Sequence, residues 1–329
     1  MMKRLTAAII FVLIASLPLC NAQAEELSIY QVQYTTDPDG TSPQNGNLID
    51  CSGGIVIHKF VGSISRLILY DPDYLDGWGG IMVKDLSGIG VFDNVNVGDR
   101  ISFTNVLVED HRGTTFLQYI PDNDPNYFIV STNNPLPGPL PVGVDEIAAP
   151  LPSPTVEDPN QWAVADHNCE KYESMLIEVI DVTVKDLGYG KAYDNYVLQT
   201  GDDPNVTCWA SDYMNEDSTA IYHDYVQVGQ SFCSISGILE QYNAERDGIY
   251  YDYYQLLTLN TESFTITQTA DFDDDCDVDL NDFSAFASRW LMSGCEEPDF
   301  CDGADLSENS SVDIIDLNIF TENWFEGKL

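Results

Sequence analysis

Positive charge is what this sequence has least of: 13 Lys and Arg stand against 54 Asp and Glu in 329 residues, a formal net charge of -41. A field of that sign repels phosphate, so nucleic acid and anionic membranes are disfavoured as partners and cations are favoured. Histidine is nearly as sparse. The four, His58, His111, His167 and His223, form no H-E-x-x-H or H-x-H pair, and each is expected to be structural or superficial. There is no G-x-S-x-G elbow and no Gly-Lys phosphate loop, which removes the familiar hydrolase and nucleotide signatures. A glycosidase needs two facing carboxylates, and 54 acidic residues single out no pair, so no catalytic residue is assigned. No cysteines form a C-x-x-C zinc pair. Beyond the N-terminus no apolar run is long enough to cross a bilayer, so no membrane span is expected.

What the N-terminus does have is Lys3 and Arg4, an apolar stretch from Leu5 to Leu19, and the small-residue pattern Ala22-Gln23-Ala24. That is the layout of a secretory signal peptide over residues 1–24, and the chain is expected to be secreted, extracellular or at the cell surface. Cleavage after Ala24 would remove Cys20 and leave seven cysteines: Cys51, Cys169, Cys208, Cys233, Cys276, Cys295 and Cys301. In an exported chain disulfides are the default, with one bridge expected within the late trio. Cys169 and Cys208 are likewise expected to be bonded rather than nucleophilic. With 44% hydrophobic and 11% aromatic residues the chain can bury a core despite its charge.

From Leu27 to about Ile266 the pattern is that of strands. Ile29 to Tyr34, Ile55 to Ile57, Leu67 to Tyr70 and Ile101 to Val108 are short apolar or alternating runs divided by Gly, Asp, Asn and Pro. Prolines crowd between Asn133 and Pro159 and exclude a helix or central strand there. On either side lies a weak repeat, a turn glycine feeding a strand: Val97-Gly98-Asp99-Arg100-Ile101 to Leu107, and Val228-Gly229-Gln230-Ser231-Phe232 to Leu239. With Ile29 to Gly40 and Ser42-Pro43, these stretches resemble the OB-fold domains associated with extracellular nucleases, which implies two tandem barrels. The tyrosines Tyr250, Tyr251, Tyr253 and Tyr254 read either as a strand with a buried side or as a stacking face for a ligand.

Near the C-terminus, acids recur at the spacing of a calcium loop. Asp271, Asp273, Asp275, Asp277, Asp279 and Asp282 occupy positions 1, 3, 5, 7, 9 and 12; Asp305, Ser307, Asn309, Ser311, Asp313 and Asp316 repeat the pattern 34 residues on. Calcium takes six to eight oxygens at about 2.3–2.6 Å, and alternate oxygen-bearing side chains in a tight loop can wrap it. Position 7 ligates through its carbonyl, and position 9 often through water. An amphipathic stretch follows each loop: Phe283, Phe286, Ala287, Trp290 and Leu291, then Leu317, Phe320, Trp324 and Phe325. Loop and helix are duplicated as one unit, so two Ca2+ sites are expected, the second weaker for having fewer carboxylates.

The duplicated unit resembles a dockerin. Position 6, usually Gly, is Cys276 and Ser310, and a bridge from Cys276 to Cys295 or Cys301 would restrain the first turn. The resulting expectation is a mainly β chain of two OB-like barrels followed by a small α module: signal peptide 1–24, first barrel 25–132, Pro-rich connection 133–159, second barrel 160–267, calcium module 268–329. The resemblance implies a secreted, non-catalytic calcium-binding protein used for attachment or assembly and linked to extracellular polysaccharide breakdown. The implied partner is a cohesin-like or other surface protein, with polysaccharide as a further candidate. The alternative is a glycoside- or nucleic-acid-degrading hydrolase, or a carbohydrate-binding module, with its site in the β region.

Overall fold

A computed structural model describes residues 26–61, 64–88, 90–147, 161–164, 166–187, 195–200, 204–215, 226–246, 248–266, 269–273 and 278–324. The expected signal peptide lies outside them, as do residues 148–159 of the Pro-rich connection, His223, Asp275, Cys276, Asp277 and Phe325. No described helix is long and apolar enough to cross a membrane.

A two-residue strand, Glu26–Leu27, is followed by a helix, α1 (Ile29–Gln33), where a strand was expected. Ser28 explains the difference. Its hydroxyl accepts from the Gln31 N–H at 3.2 Å while the Gln31 side chain accepts from the Ser28 N–H at 2.9 Å, a reciprocal cap that starts a helix. Ile29 and Val32, three apart and fully buried, then share one face.

Five strands follow: β1 (Leu48–Phe60), β2 (Arg66–Tyr70), β3 (Gly80–Asp85), β4 (Arg100–His111) and β5 (Thr114–Tyr119). β1, β2 and β3 pair antiparallel in turn, β3 pairs parallel with β5, β5 antiparallel with β4, and β4 antiparallel with β1, which closes the ring. Closure leaves no edge within the ring, and one face of each strand fills the interior. Along β4, Ile101 and Phe103 point inward, and then Val106 and Val108. The phase slips between the pairs because Asn105 takes a left-handed φ of 53° while its N–H bonds the Asp50 carboxylate.

After the connection the same ring is built again from β6 (Leu176–Leu187), β7 (Asn195–Thr200), β8 (Thr207–Ser211), β9 (Ser231–Arg246) and β10 (Ile249–Leu257). The antiparallel run β6-β7-β8, the parallel β8–β10 pair, and the antiparallel β10–β9 and β9–β6 pairs reproduce the first ring step for step. The two glycine-led stretches of the sequence enter equivalent strands, β4 and β9. Even the irregularities match. In the first ring the Gly98 N–H donates to the Val56 carbonyl where β1 slips register, and in the second the Gly229 N–H donates to Val184 where β6 slips. Both glycines have φ near 88° (88° and 87°), which side-chain-bearing residues rarely adopt. The described chain is thus mainly β, with tandem barrels of OB-like strand order.

The barrels share a seam. Ile68, Met82 and Phe116 of the first meet Met214, Ile238, Leu257 and Leu259 of the second in one apolar cluster. Each fully buried side chain of this kind stabilises by about 1.5–3 kcal/mol relative to exposure. Backbone bonds cross as well: the Asn243 N–H donates to Arg112 O at 2.6 Å and the Trp78 N–H to Lys171 O at 2.5 Å.

The last unit holds α2 (Leu280–Ser288) and α3 (Ile314–Glu322). Phe286 and Phe320 stack at 5.2 Å between them, inside a core of Ala270, Val278, Cys295, Ala304 and Val312. Cys295 bonds Cys301, so the sequence-based pairing of Cys276 with either one is corrected. Six positions apart in sequence, the two reach the 4.9 Å Cα separation that a bridge needs. Cys233 is also disulfide-bonded. Cys169 and Cys208, expected in bridges, are buried thiols, as is Cys51. Burial pushes the Cys51 and Cys208 thiols up to about 12, so they pack as small apolar side chains.

Because no atom lies within 4 Å of a Cβ built at Gly229, Gly229→Ala tests the backbone alone. The substitution should cost about 1 kcal/mol in urea unfolding; unchanged stability would show that the left-handed turn does not hold β9 in register.

Candidate functional site

In the C-terminal unit each loop ends in a helix cap. Asp279 and Asp313, at position 9, are the N-cap residues of α2 and α3, accepting from the Asn281 and Ile315 N–H groups at 2.6 and 2.8 Å. Asp282 and Asp316, at position 12, occupy the third helical position and complete reciprocal caps. This is how an Asp serves where a longer Glu is usual: the helix brings its backbone close to the loop. Asp282 accepts from the Phe272 and Asp273 N–H groups at 2.6 and 3.3 Å, and Asp316 from Ser307 N–H at 2.8 Å.

In the first loop the carboxylates of Asp271, Asp273 and Asp282 each offer an oxygen within 4.8 Å of the others. In the second, Asp305 is 2% exposed and accepts from Asn309 and Ser310 N–H at 3.0 and 2.7 Å, while Asn309 Oδ1 accepts from Ser311. Ser310, at the sharp turn, has φ 73°. The second loop is tied to the segment after α2, where Leu291 N–H donates to Val312 O and Val312 N–H to Met292 O, at 3.0 and 2.9 Å. Asp282 and Asp316 are fully buried, and among the described residues no lysine or arginine lies within ion-pairing distance of either. All-oxygen donors fit a hard cation such as Ca2+. Of the twelve residues expected from spacing, Asp275 and Asp277 lie outside the described residues.

A second concentration of chemistry, which spacing did not single out, lies in the seam. Glu173, 1% exposed, accepts from Thr115 N–H at 3.0 Å and from Gln33 Nε2 at 3.4 Å, both in the first barrel. Nearby His167 joins Asp252 through Nε2 at 3.3 Å and Tyr254 Oη through Nδ1 at 2.8 Å. The Tyr254 hydroxyl donates to Glu170 at 2.6 Å, and Gln241 Nε2 lies 3.3 Å from the same ring nitrogen, Nδ1 of His167. The hydrogen bond to Asp252 raises the His167 pKa. Burial is the main cause that pushes Glu170 up to about 8 and drives Glu173 upward too, with the Glu170 charge adding to it. Gly40 closes over this carboxyl; a Cβ there would sit 2.9 Å from Glu170 Oε2. Outside lies a cleft of about 630 Å³ between Asp37, Asp39 and Trp78 on one side and Asp166, His167 and Lys171 on the other. The tyrosine run does not form a stacking face: Tyr251, Tyr253 and Tyr254 are 3%, 0% and 0% exposed and belong to the core.

No family model matches this chain, and no curated protein matches it. Solved structures that align with it include the Ifi202 HINa domain in complex with 20bp dsDNA, at 8% identity, 65% of this chain, 98% of that one and TM-score 0.29. Others are fission yeast Pot1 and ssDNA (11%, 74%, 87%, 0.27) and a Replication Protein A heterotrimer bound to ssDNA (10%, 71%, 68%, 0.22). These neighbours hold DNA, and against that finding two expectations do not stand. One is that nucleic acid is disfavoured as a partner and a cohesin-like protein or polysaccharide favoured. The other is that the chain is an attachment protein, hydrolase or carbohydrate-binding module of polysaccharide breakdown. Net charge misleads because it averages over the chain, whereas a ligand meets a local field. At TM-scores below 0.5 the same likenesses do not assign DNA to these barrels.

The seam carries a pH signature. Glu170, Glu173 and His167 all bind protons more tightly folded than unfolded, so their contribution to stability is present in acid and is lost as pH rises. Between the ordinary carboxylate value of 4.5 and about 8, the stability of the barrels should fall, and Glu170→Gln should flatten that slope. Thermal unfolding across pH 5–8 checks this; a parent whose stability rises over that window, or a variant with the parent's slope, contradicts it.

Proposed function

We propose that the C-terminal loop–helix pair takes two Ca2+ ions, one per loop, as the cations that let it fold around its own carboxylates. The observation that carries the reading is the burial of Asp282 and Asp316, both 0% exposed and without a cationic partner among the described residues. A carboxylate buried without a counter-charge costs several kcal/mol or takes up a proton. A divalent ion meets that demand in both loops at once. Asp271, Asp273, Asp275, Asp279 and Asp282 are assigned to the first ion with the carbonyl of Asp277, and Asp305, Ser307, Asn309, Asp313 and Asp316 to the second with the carbonyl of Ser311. The repeated order of loop, cap and helix supports a dockerin-like fold for this unit, and the signal-peptide layout supports export. Outside the cell, sites with dissociation constants of about 10⁻⁴–10⁻³ M are filled.

Calcium added to metal-free protein should raise helical circular dichroism and the unfolding temperature, with chelator reversing both. Asp282→Asn and Asp316→Asn should each weaken one site by about tenfold or more, because charge count sets loop affinity. A response to Mg2+ equal to that to Ca2+, or none to either, would sink the assignment.

A further inference from the structure

The cleft of about 630 Å³ between the barrels has the size of a site for a small organic molecule. The loop after α1 brings Asp37 and Asp39 to one rim and Asp166 stands on the other, all three exposed. Asp37 Oδ1 accepts from the Asp39 N–H at 2.9 Å and Asp166 Oδ1 from the Asn168 N–H at 3.0 Å, which fixes both rims. Among the described residues none of the three pairs with a base. Lys171, which shares the cleft, is already engaged: its ammonium lies 3.7 Å from Glu146 and 4.5 Å from the centroid of the Tyr172 ring.

Two further residues give the cleft a floor and a wall. Glu170, 4% exposed, lines the cleft and accepts the Tyr254 hydroxyl through Oε2, while among the described residues nothing donates to Oε1. A carboxyl group stripped of water and short of a donor keeps its proton or takes a cation. Trp78 stands in the turn before β3 with a left-handed φ of 63°, a costly conformation for a bulky side chain. Its N–H donates to the carbonyl of Lys171, the residue next to Glu170, so the turn that strains Trp78 also sets it beside the buried acid. The Trp78 and Tyr34 rings meet edge-on at 5.4 Å, Tyr34 stacks on Tyr30 at 5.2 Å, and Tyr30 on Tyr74 at 4.5 Å. These rings hold the half-buried indole at the cleft.

We propose that the cleft binds a small organic cation, a protonated aliphatic amine or guanidine, with Glu170 as its buried counter-charge, the three aspartates as a negative rim and Trp78 as the wall for its carbon chain. A metal ion does not fit. Among the described residues only Asp271, Asp273 and Asp282 bring three ligand atoms within 4.8 Å of one another, so the carboxyls of the cleft are too dispersed to share one small ion. An anion would meet unpaired carboxylates. An organic cation spans such a space, with its charge against carboxyl oxygens and its body against an aromatic ring. A net charge of -41 draws cations to the surface. The local electrostatics agree: burial pushes Glu170 up to about 8, as expected for a carboxyl that lacks a counter-charge. His167, Lys171, Tyr254, Asp110, Asp252 and Glu173 are the charged and titratable groups around it. All of them grow more negative as pH rises, so binding of a cation strengthens toward pH 8.

The test is calorimetric titration of the full chain with cadaverine and with agmatine at pH 6 and pH 8, in buffer with excess calcium so that the loop carboxylates are occupied. Sodium chloride at matched ionic strength is the control. The expected result is saturable binding of about one equivalent, tighter at pH 8 than at pH 6. Glu170→Gln should weaken it by about tenfold or more, and Trp78→Leu by about threefold or more. The tighter of the two titrants assigns an ammonium or a guanidinium as the preferred head. Trp78 is half-exposed, so its variant keeps the test decisive if Glu170→Gln does not fold. Heats no larger than the chloride control, an affinity that does not rise with pH, or parent-like affinity in either variant would overturn the proposal.

Discussion

A buried charge must find a counter-charge, a proton or a set of hydrogen-bond donors, and in a chain with four acids for every base that requirement shapes each functional region. Three solutions appear. Asp282 and Asp316 meet backbone N–H groups, and Asp282 converges with the oxygens of Asp271 and Asp273. In the seam, Glu173 accepts from Thr115 and Gln33 of the first barrel, and burial raises the pKa of both Glu170 and Glu173. Lys84, the inverse case, is buried with its ammonium against the Phe116 ring. Two of these regions need the contact between barrels, and so the seam matters as much as either barrel.

Much of the architecture was legible because it is local. The glycines at 98 and 229 announce a left-handed turn before a strand, and the loop acids with their following Phe and Trp announce a duplicated unit, since both patterns are periodic in sequence. The opening segment misled because Ile29 to Tyr34 alternates well enough for a strand; a serine and a glutamine three apart decide for a helix. The Cys295–Cys301 bridge fell within the expected trio, yet its pairing needed coordinates.

What sequence did not carry is long-range. Glu173 bonds to Gln33 across 140 positions, and Arg66 meets Tyr213 across 147, so no window of residues contains either pair. The cleft between the barrels was hidden in the same way, since Asp39, Trp78 and Glu170 meet there from three distant stretches of chain. The function drawn from family resemblance failed for a related reason. A loop motif reports a cation, whereas a partner is chosen by a surface that only folding assembles.

The central claim is that the buried loop carboxylates exist to hold calcium. Native mass spectrometry of the full chain, exchanged from calcium-containing into volatile buffer, counts the ions directly. The account predicts that the chain retains two calcium ions and that each position-12 variant, at Asp282 or Asp316, retains one. A chain that carries none, or a double variant that still carries two, would contradict it.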